Sequence, residues 1–390
     1  MVAARSRRPG RGRRRHRAGT ALAAGLGALV VAAVVAALVP VPYEAITPGT
    51  GIPVSTLVTV PPAHRHSHKG AVVLTDVELV PLRALTWLYY KLQSGDQVVP
   101  TSELTGSATA TQYDEQGVID MANARQAATV VALRTLGYGV RAVADGVIVY
   151  DTVPGSPAAR ALKVGQVVTA LDGTPTVDLA ALARAIDARS PGTVVTLAVH
   201  PFGGGRSGKV RVRLGQLRVQ RSGGQLLLAC LPAGARPAGA KPPAGTPTTC
   251  LGITAPTAQS EQSYRVTGLP FPVHLSSDGI VGPSAGLSFT LGLLQVLASR
   301  DLTGGRRVAA TGTMSVTGQV GQVGGVAQKT TAVEAAGATV FLVPAAEAAT
   351  ARARANGHLK VLGVTSIAQA IGDLRRLGGR LGRLPGRSRS

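Results

Sequence analysis

The chain has 390 residues, enough for two or three domains of ordinary size, and its 45% hydrophobic residues with 3% aromatics require aliphatic cores. The net charge of +22 is uneven: residues 1–19 hold eight arginines and residues 375–390 hold six, with no acid in either stretch. Most of the excess lies in terminal tails, which excludes nucleic acid as the expected partner.

From the N-terminus, Thr20 to Pro40 runs uncharged and apolar. At about 1.5 Å per residue, such a run spans a bilayer core of about 30 Å. Arginines precede it and none follows closely. The pattern predicts a cytoplasmic tail over 1–19, a transmembrane anchor over 20–41 with the lipid bilayer as partner, and the rest of the chain outside the cytoplasm. The expected location is the cell membrane, single-pass, with a cleaved signal peptide as the alternative. His64, His66 and His68 could bind a cation, but they read better as an exposed linker, and no metal site is expected. Val72–Leu79 alternates like a strand, and Gly117–Leu136 has helical spacing in an alanine-rich context.

The texture changes near Asp145. A strand, a turn and a short helix are followed by a strand over Gln166–Leu171, an Asp172-Gly173 turn and a helix begun near Val177–Asp178. Two more strands, VVTLAVHP and KVRVRL, flank Gly203-Gly204-Gly205. Gly203 to Lys209 imitates a phosphate loop, but Val210 stands where Ser or Thr should bind magnesium, and the segment joins strands. The stretches Val153-Pro154-Gly155-Ser156-Pro157-Ala158 and Leu162-Lys163-Val164-Gly165-Gln166-Val167-Val168 resemble a PDZ domain, a small β-barrel with helices, expected over 137–216. The resemblance implies a groove for extended peptides, with Gly137, Tyr138, Gly139 and Val140 as its carboxylate loop. Cys230 and Cys250 bracket a Pro/Gly-rich segment within 217–252, and in an oxidising compartment a disulfide between them is expected.

Beyond this block lie two chemically suggestive segments. Phe271–Leu275 predicts a strand, Ser276–Gly282 a turn, and LSFTLGLLQVLAS a buried helix. Ser284, in Gly282-Pro283-Ser284-Ala285-Gly286, then sits at a helix start, where free N–H groups suit an oxyanion. Lys329 is one of seven lysines against 34 arginines, and it follows a Gly324-Gly325 turn. Arginine keeps its proton, whereas a desolvated lysine can become a neutral amine near pH 7 and serve a serine as general base.

The ordered set of Gly282–Gly286, Thr311-Gly312-Thr313, Gly318-Gln319-Val320, Gly324-Gly325 through Lys329, and Phe341-Leu342-Val343-Pro344 resembles the proteolytic domain of Lon-type proteases. That family implies a serine endopeptidase with a Ser–Lys dyad: Ser284 as nucleophile, Lys329 as base, Thr311 orienting the amine, and Gly282, Pro283, Ala285 and Gly286 shaping the oxyanion turn. The expected fold class is α+β, with an N-terminal transmembrane helix and a PDZ domain inserted in or preceding a Lon-type domain over 253–373. Residues 42–136 look like the earlier half of that domain, and 374–390 like a basic tail. Together these features resemble bacterial membrane-anchored PDZ–Lon proteins.

No ATPase signature is present, so the expected activity is ATP-independent, needs no cofactor, and acts on unfolded or terminus-exposed proteins. Lon-type domains commonly form rings, which implies a homo-oligomer. Asp278-Gly279 is separated from Gly282-Pro283 by Ile280-Val281, and Thr313 replaces a frequent acid, which departs from the Lon pattern. An α/β-hydrolase reading would rest on His358, and a non-catalytic PDZ scaffold is the other alternative.

Overall fold

The structure, a computed structural model, describes residues 12–92, 97–106, 108–203, 205–222, 225–234, 248–254 and 262–382. Residues 1–11 of the arginine tail, 235–247 of the Pro/Gly segment and 383–390 of the basic tail lie outside the described residues. The chain divides into two compact units, Met1–Thr47 with Glu78–Gly106, and Pro48–Val77 with Ser107–Ser390.

The first unit opens with α1 (Gly12–Leu38), followed by β1 (Pro40–Pro53). Alanine and leucine favour the helix, and Pro40 stops it. Next come β2 (Ala71–Arg83), α2 (Ala84–Leu92) and β3 (Gln97–Pro100), and the unit boundary falls inside β1 and β2. β1 pairs antiparallel with β3 from Tyr43↔Pro100 to Ile46↔Gln97. α2 is tied to the end of α1 by Ala84 N–H donating to the Val39 carbonyl at 3.0 Å.

Here the anchor expectation fails. Among the described residues no helix is long and apolar enough to cross a membrane. The helix that forms starts at Gly12, inside the arginine-rich stretch. Alanine is the commonest residue of the run, and a methyl side chain offers lipid little apolar surface. The α+β class stands without its transmembrane helix, and a single-pass membrane location is not supported.

The second unit begins its helical part with α3 (Ala110–Thr135). Thr109 and Gln112 form a reciprocal capping box at its start, which satisfies two otherwise orphaned N–H groups. Then come β4 (Arg141–Ile148), β5 (Gln166–Leu171), α4 (Leu179–Asp187), β6 (Val194–Pro201) and β7 (Gly208–Arg213). Strands β7, β6, β5 and β4 lie side by side in that order. Val195, Leu197 and Val199 alternate inward along β6 to meet Leu182 and Ile186 of α4. Asp172 and Gly173 both take positive φ (49° and 85°) in the turn after β5, and Asp178 caps α4 by accepting from Ala181 N–H at 2.7 Å. Gly203 to Lys209 connects antiparallel β6 and β7, so it leads into a strand.

Next, β8 (Gly215–Ser222) pairs with β9 (Gln225–Leu231) and β10 (Thr249–Cys250). Cys230 and Cys250 are joined across this small sheet. β11 (Gln262–Thr267) then returns to lie antiparallel beside β4.

The remaining elements are α5 (Gly286–Leu297), β12 (Arg307–Ala310), α6 (Val326–Ala335), β13 (Val340–Pro344), β14 (Lys360–Val364) and α7 (Ile367–Arg376). β14, β13, β12 and β2 run parallel in that order, with β1 next. Every residue of β13 is buried, as parallel strands covered on both faces require. α5 is apolar nearly all round and packs against α3, with Leu287, Phe289 and Leu294 meeting Ala128, Val131 and Leu133 in one core. Thus β2 and α3, encoded before β4–β11, share a sheet and a core with elements encoded after them.

Candidate active site

Ser284 sits in a single 3₁₀ turn, Pro283–Ala285, directly before α5. Gly282 enters that turn at φ 92°, a conformation that favours glycine, and its N–H donates to the Gly117 carbonyl of α3 at 2.8 Å. The Ser284 carbonyl accepts from Gly312 N–H at 2.9 Å and from Thr311 Oγ1 at 3.3 Å. Leu287 N–H in turn donates to the Gly312 carbonyl at 3.0 Å. The serine turn is thereby stitched to the segment following β12. Gly286 allows this approach, because a Cβ there would lie 2.7 Å from both the backbone N and the Cβ of Met314.

Lys329 enters from α6. The helix begins at Val326, directly after the Gly324-Gly325 turn, so Lys329 lies within its first turn with its N–H bonded to the Gly325 carbonyl. Only 2% of Lys329 is exposed, and its Nζ donates to Thr311 Oγ1 at 3.3 Å. Thr311, fully buried, is thus the shared partner of the lysine amine and the serine main chain. No hydrogen bond among the described residues joins Lys329 Nζ to Ser284 Oγ, and such catalytic contacts are commonly loose before substrate arrives. Burial lowers the Lys329 pKa from 10.5 to about 8, while the carboxylates of Glu347 and Asp76 pull the other way.

Those two carboxylates were missed in the sequence. Glu347 follows β13 and accepts from Val323 N–H at 2.8 Å; burial raises its own pKa. Asp76 lies on β2 and accepts from Thr50 N–H at 2.7 Å. Their proximity to Lys329 comes from the order of parallel strands, which no local pattern announces. An acid inside the apolar strand VVLTDVEL was the one visible trace of Asp76.

Other expected residues lie elsewhere. Asp278 sits at φ 50° in an exposed turn. His358 is exposed in the turn before β14. Gly137 (φ 88°) and Tyr138 end α3, donating their N–H groups to the Arg134 and Leu133 carbonyls in a helix-terminating motif. Tyr138 stands edge-on to Phe271 with ring centroids 5.7 Å apart, and Val140 is buried in the same core. His64 stacks on Phe271 at 3.9 Å, and a His68 ring nitrogen meets the Ala298 carbonyl at 2.9 Å. This histidine segment therefore packs on the fold instead of hanging free. No cluster of metal-binding side chains occurs among the described residues.

A serine in a glycine-held turn before a helix is thus linked, through one threonine, to a buried lysine. Residues 272–370 match the family model of the Lon protease (S16) C-terminal proteolytic domain, and residues 135–212 match that of the PDZ domain. The chain thus carries a PDZ domain and an S16 proteolytic domain, and the latter indicates a serine peptidase. No curated protein matches the chain.

Proposed function

We propose that this protein is an ATP-independent serine endopeptidase in which Ser284 is the nucleophile, Lys329 the general base and Thr311 the residue that orients the amine. The observation that carries this reading is the buried Lys329 amine, bonded to Thr311, which in turn bonds the Ser284 main chain. Desolvation supplies the neutral amine that a base requires.

On substrate binding, the amine swings from Thr311 to Ser284 Oγ and takes its proton. Oγ attacks the peptide carbonyl, and the carbonyl oxygen becomes an oxyanion. The Gly282 amide is engaged with Gly117 and the Gly286 amide with the Pro283 carbonyl, while proline has no N–H. The Ser284 and Ala285 amides are therefore the donors this turn offers the oxyanion. Lys329 then protonates the departing amine nitrogen as the C–N bond breaks. Water attacks the resulting ester, giving its proton to Lys329, and the acid leaves as Ser284 Oγ is reprotonated.

Substrates are unfolded or terminus-exposed polypeptides, brought by a PDZ domain that binds extended peptides. Casein cleavage by the purified chain, with and without ATP, tests the proposal. Cleavage should proceed without ATP and fall by at least about a thousandfold in Ser284→Ala and in Lys329→Ala. Parent-level cleavage by either variant, or a strict need for ATP, would overturn it.

A further inference from the structure

PDZ domains take an extended peptide as an added strand at an open sheet edge. Within the matched residues 135–212 the main path of the sheet runs β7, β6, β5, β4, which leaves β4 at one edge. That edge is filled. β11, which lies outside the matched residues, pairs antiparallel with β4 from Gln262↔Val147 to Thr267↔Arg141. It is held along its length: Gln262 Nε2 donates to the Val177 carbonyl just before α4 at 2.9 Å, Arg265 meets Asp145 at 3.5 Å, and Gln126 Nε2 of α3 donates to the Tyr264 carbonyl at 3.2 Å. At its far end the chain reaches the glycine loop that leads into β4. A Cβ on Gly268 would lie 2.9 Å from the Gly139 carbonyl oxygen.

We propose that β11 is a built-in ligand of the PDZ domain, occupying the β4 edge so that capture of an extended peptide requires its release. The proposal rests on the reading of this domain as a peptide binder. β11 follows the path of an added strand, with one end beside the start of α4 and the other at the Gly137–Val140 loop. From Gly268 the chain runs through Phe271, which packs on Tyr138, to Leu275, and from there to the serine turn. An arriving peptide would thus loosen the segment leading to Ser284, so capture and activation are one event. A tethered strand competes at high effective concentration, which sets a threshold that weak peptides fail to pass.

The full chain carrying Ser284→Ala, which cannot cleave the probe, serves for binding. The probe is a fluorescein-labelled peptide, Gln-Ser-Tyr-Arg-Val-Thr, with a free carboxylate, followed by fluorescence anisotropy. Val143 and Arg265 are exposed register partners, so Val143→Cys/Arg265→Cys locks the strand when oxidised. Arg265→Pro and, separately, Arg265→Glu loosen it by removing a ladder donor or repelling Asp145. Loosened variants should bind the probe at least about tenfold more tightly than the parent. The oxidised lock should bind none, and reductant should return it to the level of the parent treated alike. Equal binding by parent, lock and loosened variants, or none by either loosened variant, would overturn the built-in ligand. Loss of casein cleavage by the chain with Ser284 intact is a separate result, which would sink the peptidase reading instead.

Discussion

At the scale of single residues, Lys329 determines how activity should respond to pH. In the proposed mechanism the neutral amine is the base, so kcat/KM should rise with pH and level off above the lysine pKa of about 8. Each unit below that midpoint should cost about tenfold. Glu347 opposes the shift, since its carboxylate favours the ammonium. Glu347→Gln should therefore move the midpoint to lower pH and raise kcat/KM at pH 7, and a profile unchanged by the substitution would show that Glu347 does not reach the lysine. Ser284 and Lys329 stand out in the sequence because their surroundings are unusual: one is a serine between glycines, the other a lysine where the chain elsewhere writes arginine. Asp76 and Glu347 do not, because Asp76 comes from a distant strand and Glu347 from the turn after β13, neither marked by a local pattern. Gly117 was equally silent, since its use is to let Val281 and the Gly282 amide approach α3, with a Cβ there meeting Val281 at 3.1 Å.

Single elements were legible where one face alternates. β5 and β6 match their predicted extents, and the α4 start with its Asp178 cap falls where the turn chemistry puts it. α3 begins seven residues before the predicted Gly117, because its first two turns are polar and show no apolar spacing. Its Thr109–Gln112 box was a readable start signal that helical periodicity alone passed over. Phe271–Leu275 reads as a strand, yet only His274–Leu275 pairs, since Pro272 lacks a ladder donor. Within α5, Gly286 faces Met314 so closely that a methyl group cannot be accommodated without backbone movement. Gly286→Ala should destabilise the protein by about 1–3 kcal/mol, read as a lower urea midpoint, and should depress activity by shifting Ser284. An unchanged midpoint would mean that the turn yields more easily than this packing implies.

Across the second unit, α3 is the common support. Its Gln116 Nε2 donates to the Tyr150 carbonyl at 3.2 Å, and its Asp120 Oδ2 accepts from Tyr150 OH at 2.7 Å, while the adjoining Gly117 holds the serine turn. Burial raises the Asp120 pKa from 3.8 to about 6, with the Tyr150 hydrogen bond pulling it down. A carboxyl with a raised folded pKa contributes stability below the unfolded value, and that contribution is lost as pH climbs through about 6. Asp120→Asn should thus stabilise the protein by about 1–2 kcal/mol at pH 7.5 and by almost nothing at pH 4. Urea unfolding at the two pH values measures the difference, and an equal gain at both would point to a cause other than titration.

Gly139 and Gly268 touch, and this contact bears on how such a chain could arise. The path departs from the α3 core at one glycine and re-enters at the other, so the covalent links of the stretch between them to that core lie side by side, while Tyr150 and Tyr264 within it bond α3 directly. To the surrounding core that excursion is a loop already closed. Lengthening a closed loop costs only logarithmically in chain entropy. A whole folded module can therefore be spliced there with the register of β2, β12 and β13 undisturbed.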